Sequence, residues 1–343
     1  MRKLSFLSTT TTSGNHSLCS NTLFFFPPRN IFFFPKWTRN VVTSSASSIV
    51  PRGLRSKKIV VIMGATGCGK SKLSIDLATR FFPSAEVINS DKIQVYNGLD
   101  ITTNKISMPE RCGVPHHLLG EFKPTESHAE FSPSDFRSAG GCRINEIVNR
   151  GNIPFIVGGS NSFVNALLVK RFNSGLDIFQ SSNPATKELR YQCCFIWVDV
   201  MAPVLNQYLD KRVDEMLDSE MFEELESYFE KEGFSDSSSC GIRKAIGVPE
   251  FERYFKGERS YEEAAMEIKE NTRVLAERQV RKIMRLREAG WNLQRVDATA
   301  TVTAKMVTSG SDGKNPARQI WEKQVLEPSA KIVKKFLLEQ SIE

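Results

Sequence analysis

The stretch IVVIMGATGCGKSKLSIDLATR, residues 59–80, decides the fold of this chain. It begins with a continuous apolar run typical of a buried strand and then passes through a glycine-rich turn. Its last part places Leu73 and Leu77 one helical turn apart, and Phe81 is predicted to extend the buried side. The stretch therefore predicts a strand, a turn and a helix that packs back on the strand.

The turn matches the phosphate-binding loop pattern G-x-x-x-x-G-K-[ST]. The matching residues are Gly64, Ala65, Thr66, Gly67, Cys68, Gly69, Lys70 and Ser71. In this motif backbone N–H groups and the helix N-terminus surround an anion, the lysine adds a positive charge, and the serine hydroxyl can bind Mg²⁺. The alternative is a turn whose glycines serve only the bend, but both flanking elements of the motif are present. We predict a polyphosphate site. The motif by itself identifies neither the phosphate compound nor the reaction.

Three further apolar runs, at 85–91, 153–157 and 195–200, predict additional buried strands. We therefore predict an α/β fold, a P-loop NTPase-like parallel sheet flanked by helices, with a smaller, mainly helical lobe. Asp91 ends the second run, so a parallel sheet brings it to the same rim as the loop, where a catalytic base belongs. Asp199 closes the fourth run; it is either a Mg²⁺ ligand, as in nucleotide hydrolases, or structural.

The first 58 residues differ in composition from the rest. They hold nine Lys or Arg and no acid, so they account for the net charge of +7 and leave a body near −2. Their Ser- and Thr-rich, acid-free composition is typical of a transit peptide, and we expect import into a plastid, or else a mitochondrion. The alternative is a disordered tail that carries no targeting signal. Because no apolar run approaches 20 residues, we expect no membrane association.

We expect three parts: a disordered transit peptide at 1–57, a P-loop α/β core at 58–200, and a mainly helical lobe at 201–343 whose end returns to the core. In the lobe, Ser260 and Glu263 predict the capping box of a long helix that ends at Gly290. The packed side of this helix is predicted to consist of Ile268, Leu275, Ile283 and Leu286. Residues 298–315 are predicted to be a polar loop. A closing helix is predicted at about 329–339.

The seven cysteines form no C-x-x-C pair, which suits a reducing compartment. Adjacent Cys193 and Cys194 are predicted to fill the core. The neighbouring histidines His116 and His117 lie in a turn-rich stretch predicted to be a loop. With no third ligand at a useful spacing, they are more consistent with packing or substrate positioning than with a metal site.

The chain resembles the isopentenyltransferase family, which includes adenylate isopentenyltransferases and tRNA dimethylallyltransferases, and it looks closest to the plant adenylate branch. The resemblance runs from about Lys58 to the end. The stretches that carry it are VVIMGATGCGKSKLSIDLATRF, NSDKIQVYNGLDITTNK, GVPHHLLGE, IVGGSNSFVNALL, CCFIWVDV, RVDEM with MFEEL, GIRKAIGVPEF, IKENTRVLAERQ and RVDAT. Two departures stand out, Glu220 where relatives usually have glycine and Cys68 at a variable loop position.

The resemblance implies transfer of a dimethylallyl group from dimethylallyl diphosphate to N6 of an adenine nucleotide, with release of pyrophosphate, as the first step of cytokinin biosynthesis. It implies that Thr66 lies near the bridging oxygen of the donor, Lys70 on the leaving phosphates and Ser71 on Mg²⁺. Asp91 matches the family aspartate that accepts the N6 proton.

The acceptor is expected to be a free nucleotide, with ATP and ADP preferred over AMP. Candidate cations for its phosphates are Arg243, Lys244, Lys269 and Arg273. We expect no tRNA substrate, because the near-neutral body lacks a broad basic surface. No Cys follows Cys240 and no His follows His128, so we also expect no C-terminal zinc finger of the kind that eukaryotic tRNA-acting relatives often carry.

Two other functions stay open at this point. A nucleotide or small-molecule kinase would use the same loop with Asp199 as its metal ligand, and a tRNA dimethylallyltransferase would use the same chemistry on RNA. We expect the chain to act as a monomer.

Overall fold

The computed structural model describes residues 57–125, 128–179, 187–234, 241–307 and 316–339. The predicted transit peptide lies outside the described residues, except for Lys57. None of the helices in the described part is long and apolar enough to cross a membrane.

A six-stranded parallel sheet forms the centre of the molecule, with the strand order β3-β2-β4-β1-β5-β6. The strands are β1 (Lys58–Met63), β2 (Ala85–Asn89), β3 (His116–His117), β4 (Ile153–Gly158), β5 (Gln192–Asp199) and β6 (Leu293–Asp297). The predicted fold class and the four predicted strands are confirmed. The strand that carries the phosphate loop lies between β4 and β5, near the middle of the sheet.

Helices cover both faces of this sheet and build a lobe beside it. They are α1 (Lys70–Arg80), α2 (Pro133–Asn149), α3 (Asn161–Leu168), α4 (Ala202–Leu217), α5 (Met221–Glu232), α6 (Val248–Phe255), α7 (Tyr261–Glu288), α8 (Thr299–Val307), α9 (Pro316–Trp321) and α10 (Glu327–Leu338). A single π-helical turn, Glu322–Leu326, joins α9 to α10.

The apolar run of β1 is continuous because both of its faces are covered. Val60 and Ile62 pack with α1 and the C-terminal helices, whereas Ile59, Val61 and Met63 pack with α2 and α3. All five side chains are fully buried. The loop that follows β1 therefore starts from a strand fixed on both faces.

The lobe has its own apolar cluster, to which α4, α5, α6 and α7 contribute. The predicted capping box of α7 is confirmed, because the Ser260 side chain accepts from the Glu263 N–H and the Glu263 carboxylate accepts from the Ser260 N–H. Ile283 and Leu286 are buried as predicted, but the prediction for Leu275 was wrong. Leu275 is 37% exposed and faces a cavity instead of the core.

Three local predictions need correction. Residues 299–307, predicted as part of a polar loop, form α8, whose Thr301 and Val302 are buried and whose start is fixed by the Asp297 carboxylate accepting from the Thr299 N–H. The predicted loop around residues 92–122 includes β3, which pairs with β2. Phe81, predicted to be buried, lies beyond the end of α1 and is 43% exposed.

Glu220 causes no strain in place of the family glycine. It precedes α5 with φ −109°, a backbone conformation open to any residue, and its carbonyl accepts from the Glu224 N–H. The turn therefore tolerates a side chain at this position.

Candidate active site

The phosphate loop leaves β1 and enters α1 through two glycines at which a side chain would be strained. A Cβ on Gly64 would lie 2.3 Å from the Val198 carbonyl oxygen on β5. Gly69 caps α1 with φ 96°, and a Cβ there would lie 3.0 Å from the Trp321 ring. The loop is thus held between β5 and the C-terminal helices, with the N-terminus of α1 directed at its centre.

Lys70, the loop lysine, folds back over the loop. Its Nζ donates to the Ala65 carbonyl oxygen at 2.6 Å. Cys68 beside it is buried, and this burial raises the pKa of its thiol although the Lys70 charge acts in the opposite direction. Cys68 is therefore a neutral packing residue, and Lys70 is the charge that the loop presents to a phosphate.

Asp91 lies just beyond β2, at the carboxyl-end rim where the loop also opens. Its Oδ1 accepts from the Ile93 N–H at 2.9 Å and from the Gln94 N–H at 3.4 Å. The Asn89 side chain accepts from the Asp91 N–H and donates to the Asp91 carbonyl. One carboxylate oxygen is thus fixed by backbone donors, and Oδ2 has no hydrogen bond to the described residues.

A cavity of about 340 Å³ joins the loop to Asp91. Thr66 and Asp91 both line it, together with residues of α4, α7 and the segment 102–104. Part of the lining is apolar and comprises Ile93, Val213, Met216, Met221, Ala245, Ile246, Ile268, Val274 and Leu275. The predicted base and the predicted phosphate loop therefore open into one space.

Arg212 on α4 is a site residue that the sequence analysis missed. Its Nη2 donates to Thr66 Oγ1 at 3.1 Å, and its Nε is buried without a hydrogen-bond partner among the described residues. Burial lowers the pKa of this guanidinium. The only sequence signal was its place in the RVDEM stretch. Arg212 adds a second positive charge beside the loop, next to the hydroxyl assigned to the bridging oxygen.

The predicted acceptor cations are separated in the structure. Lys244 lines the cavity and pairs with Glu130 at 2.7 Å. Arg243 instead donates to the carbonyls of Glu232 and Gly233. Lys269 and Arg273 pair across the helix interface with Asp214 and Asp210 on α4. Of the four predicted cations, only Lys244 faces the space shared by Thr66 and Asp91.

Two cations that were not predicted, Lys92 and Arg278, also line the cavity. Neither forms an ion pair within the described part of the chain. They are thus available to a charged ligand. Arg278 lies on α7 within the LAERQ stretch, where its sequence position gave no reason to separate it from neighbouring solvent-facing arginines.

The segment 101–104 forms one wall of the cavity and is tied down from two sides. Glu224 on α5 accepts from the Ile101 N–H at 3.0 Å and from the Thr102 N–H and hydroxyl, each at 2.7 Å. Gln94 donates from its side chain to the carbonyls of residues 103 and 104. Gln94 also donates its backbone N–H to Asp91, so the wall and the carboxylate share one anchor.

The residues present fit a loop-bound Mg²⁺. Mg²⁺ takes hard oxygen ligands and commonly uses one or two protein groups plus phosphate oxygens and water. Ser71 is exposed on the first turn of α1, so its hydroxyl can supply one oxygen. Asp199, the other predicted ligand, accepts from Arg295 Nε at 2.7 Å through one oxygen and lies in a separate groove with Glu270 and Arg273. Within the described ranges, no three His, Cys, Asp or Glu side chains are grouped to hold a metal without a ligand's help.

The histidine pair belongs to the packing of the sheet edge. His117 Nε2 lies 2.7 Å from Glu86 Oε2. Glu86 also accepts from Arg150 and Asn152, and these hydrogen bonds hold its pKa at about 2 despite the opposing effect of burial. Burial lowers the pKa of His116. Cys194 is buried as predicted, and Cys193 is partly buried beside it.

The fold and the loop define the class: a P-loop α/β protein whose parallel sheet presents a phosphate site and a carboxylate at one rim. The IPP transferase family model matches residues 94–178 and 169–285, more than half of the chain. Adenylate isopentenyltransferase 1, chloroplastic, from Arabidopsis thaliana is 53% identical over 300 residues, which cover 83% of this chain and 82% of that protein. Adenylate isopentenyltransferase from Humulus lupulus is also 53% identical, over 80% of this chain and 89% of that protein. The chain belongs to the IPP transferase family.

Solved structures support the same assignment. A eukaryotic dimethylallyltransferase acting on tRNA matches with a TM-score of 0.65 at 27% identity and covers 82% of this chain and 80% of its own. The tRNA isopentenylpyrophosphate transferase from Bacillus halodurans matches with a TM-score of 0.62 at 28% identity, over 82% of this chain and 98% of its own. The chain therefore shares its fold with prenyl-transferring enzymes, and the kinase alternative is disfavoured.

Proposed function

We propose that this enzyme transfers the dimethylallyl group of dimethylallyl diphosphate to N6 of an adenine nucleotide, the first step of cytokinin biosynthesis. The observation that carries this proposal is the single cavity lined by Thr66 of the phosphate loop and by Asp91. A donor diphosphate on the loop and an acceptor amine at the carboxylate then meet in one cavity. The names of the adenylate isopentenyltransferases at 53% identity agree with it.

Asp91 acts as the general base in this proposal. The lone pair of the adenine amino group is delocalised into the ring, so the amine is a weak nucleophile until its proton is drawn away. A positioned base contributes about 10²- to 10⁴-fold to such a step. With Oδ1 held by two backbone N–H groups, Oδ2 is left to accept the proton as the new N–C bond forms and the C–O bond to the diphosphate breaks.

The leaving diphosphate is stabilised by the loop. Backbone N–H groups and the N-terminus of α1 surround it, Lys70 exchanges its contact with the Ala65 carbonyl for phosphate oxygens, and Arg212 holds the Thr66 hydroxyl at the bridging oxygen. The Ser71 hydroxyl would hold Mg²⁺ together with the diphosphate, and the bound ion would supply further positive charge to the leaving group. The apolar lining receives the hydrocarbon part of the donor, since it offers the five-carbon chain a surface free of water.

The acceptor phosphates are assigned to the cations at the cavity, Lys244, Arg278 and Lys92. Three positive charges favour a di- or triphosphate over a monophosphate, so we propose that ATP and ADP are better acceptors than AMP. A small cluster of this kind suffices for a free nucleotide, whereas tight binding of RNA requires contacts to many phosphates. We therefore propose that tRNA is not a substrate.

The decisive experiment is product analysis by mass spectrometry. The purified chain without residues 1–57 is incubated with dimethylallyl diphosphate, Mg²⁺ and, separately, ATP, ADP, AMP or an unmodified anticodon stem-loop. We expect more prenylated ATP and ADP than prenylated AMP. We expect no prenylation of the stem-loop. A phosphorylated product without prenylation would refute the proposed reaction, and efficient prenylation of the stem-loop would refute the proposed acceptor.

We also propose that residues 1 to about 58 direct the chain to plastids. Their composition supports this, as do the chloroplastic relatives, although one relative at 40% identity is named mitochondrial. A fluorescent fusion of these residues should accumulate in plastids, and retention in the cytosol would refute it. We propose that the enzyme acts as a monomer, and light scattering of the purified protein tests this.

A further inference from the structure

Gln279 on α7 is a polar side chain that the proposed chemistry leaves unused. It is only 7% exposed, and it lines the cavity that also contains Thr66 and Asp91. Its backbone carbonyl accepts from the Asn161 side chain at 3.1 Å, which fixes this turn of α7 against the start of α3. A buried amide held at both its backbone and its side chain cannot turn away from the cavity.

The orientation of the amide follows from its partner. Gln279 Oε1 accepts from the backbone N–H of Thr66 at 2.7 Å. Because that partner is a donor, the atom facing it must be the oxygen, so the other amide atom is the NH₂ group. This NH₂ has no hydrogen-bond partner among the described residues, yet it is not sealed from the cavity.

The glycine turn after β4 exists to make room for this amide. A Cβ on Gly159 would lie 2.2 Å from Gln279 Nε2, and a Cβ on Gly158 would lie 2.4 Å from the Ser90 carbonyl carbon. Ser160 bridges to the same segment, since its N–H donates to Ser90 and its Oγ accepts from the Lys92 N–H. The turn is therefore packed between Gln279 on one side and the residues flanking Asp91 on the other.

We propose that Gln279 reads the acceptor base by donating from its NH₂ group to a ring nitrogen beside the amino group, N1 or N7. This proposal rests on the proposed function and names a specificity residue for it. Adenine presents an amino donor next to a ring-nitrogen acceptor on either edge, and the cavity offers the complementary pair, the Asp91 carboxylate as acceptor and the Gln279 amide as donor. In DNA recognition an Asn or Gln amide also donates its NH₂ group to adenine N7, while its oxygen accepts from N6. Here the Asp91 carboxylate takes the place of that oxygen, because Gln279 Oε1 is bonded to Thr66.

This pair of groups rejects other purines. Guanine and hypoxanthine carry an oxygen at position 6, which would face the Asp91 carboxylate as acceptor against acceptor. On the N1 edge, their N1–H would also face the Gln279 NH₂ as donor against donor. Because a site built to make a hydrogen bond discriminates strongly against a partner that leaves its buried groups unpaired, adenine is selected at the step of binding.

The test combines protein variants with altered acceptors. We measure kcat/KM for ATP, 1-deaza-ATP and 7-deaza-ATP with wild-type enzyme, Gln279→Leu and Gln279→Glu. In the wild type, the analogue that lacks the recognised nitrogen should be slower by about tenfold or more, as expected for one lost hydrogen bond in a buried site. In both variants ATP itself should fall by a similar factor, and removal of that nitrogen should cause no further loss. The intrinsic reactivities of the analogues cancel in these ratios.

Gln279→Glu separates base reading from support of the loop, because the carboxylate keeps an oxygen for the Thr66 N–H while losing the donor. Gln207→Glu, an exposed position on α4, is the matched control and should leave all three rates unchanged. If the Gln279 variants slow all three acceptors by the same factor, or if wild-type enzyme uses both analogues as well as ATP, the assignment is wrong. Failure of the proposed function is distinct, since wild-type enzyme would then prenylate none of the three acceptors.

Discussion

Glu224 ties the helical lobe to the cavity wall, and its removal should weaken both folding and turnover. Its carboxylate accepts the three hydrogen bonds from residues 101 and 102 described above. Hydrogen bonds to a charged group contribute about 1.5–3 kcal/mol each. Because Glu224 is only partly buried, water recovers part of that loss. We expect Glu224→Ala to lower the free energy of unfolding by about 2–4 kcal/mol.

Glu224→Gln should be milder, with a loss of about 1–2 kcal/mol, because the amide oxygen keeps one side of the contact while the NH₂ group faces a backbone N–H. Urea unfolding followed by circular dichroism measures the free energy of unfolding of both variants. In thermal unfolding, the Tm of Glu224→Ala should fall by roughly 5–10 °C. Turnover should fall in the same order, since residues 102–104 line the cavity.

Glu223→Ala is the matched control. Glu223 precedes Glu224 in the first turn of α5 and is exposed, so both substitutions remove one negative charge from the same helix terminus. A Glu224→Ala variant within about 0.5 kcal/mol of Glu223→Ala, the usual range for surface changes, would refute the reasoning.

Four further outcomes are expected. Asp91→Asn keeps an oxygen for the two backbone N–H groups and should lower turnover by about 10²- to 10⁴-fold, while dimethylallyl diphosphate still binds. A loss of turnover under about tenfold would show that Asp91 is not the base. Lys70→Ala should weaken binding of dimethylallyl diphosphate in calorimetry and also slow transfer, because the Lys70 charge interacts with the diphosphate both before and during the reaction. An unchanged affinity would show that Lys70 does not bind the diphosphate. The pKa of Glu86 is lowered from 4.5 to about 2, so its ionised form contributes stability above pH 4.5 that is lost as the pH falls towards 2. In Glu86→Gln, the free energy of unfolding should therefore depend less on pH between 4.5 and 2 than it does in the wild type. Lys244→Ala should narrow the ratio of kcat/KM for ATP to that for AMP, and an unaltered ratio would exclude Lys244 from phosphate binding.

The central part of the fold could be predicted because its determinants are local. β1, β2, β4 and β5 are apolar runs, and the loop and the carboxylate after β2 are short motifs beside them. In contrast, β6 has only Val296 buried, and β3 is two residues long. Both lie at the edges of the sheet, where pairing with a neighbour decides the conformation and the residues' own pattern says little.

Two of the residues missed at the site, Arg212 and Gln279, are placed by distant contacts. Arg212 reaches Thr66 across 146 residues of sequence, and Gln279 reaches the same residue across 213. No local pattern encodes such contacts, although each of these side chains lies in a stretch that carried the family resemblance. The resemblance thus identified the segment, and only the structure showed which residue its side chain contacts.

The cations Lys269 and Arg273 show a different limit. They are spaced by four on α7, and their partners Asp214 and Asp210 are spaced by four on α4, so the two antiparallel helices bring together a ladder of opposite charges. The sequence shows only that this face of α7 is basic, whether its side chains pair with a neighbouring helix or bind a ligand. Which arginine faces a ligand and which faces a neighbouring helix depends on the rotation of α7 about its axis.

The position of β1 in the sheet also sets the order in which the chain can acquire its structure. Both neighbours of β1 come much later in the sequence, β4 at residues 153–158 and β5 at residues 192–199. At a synthesis rate of about 5–20 residues per second, the ribosome needs on the order of 10 s to move from the end of β1 to the end of β5. Until then the most apolar strand has an open edge, which is the kind of surface that aggregates. The loop after β1 therefore gains its supporting neighbours late, although its own residues are made early.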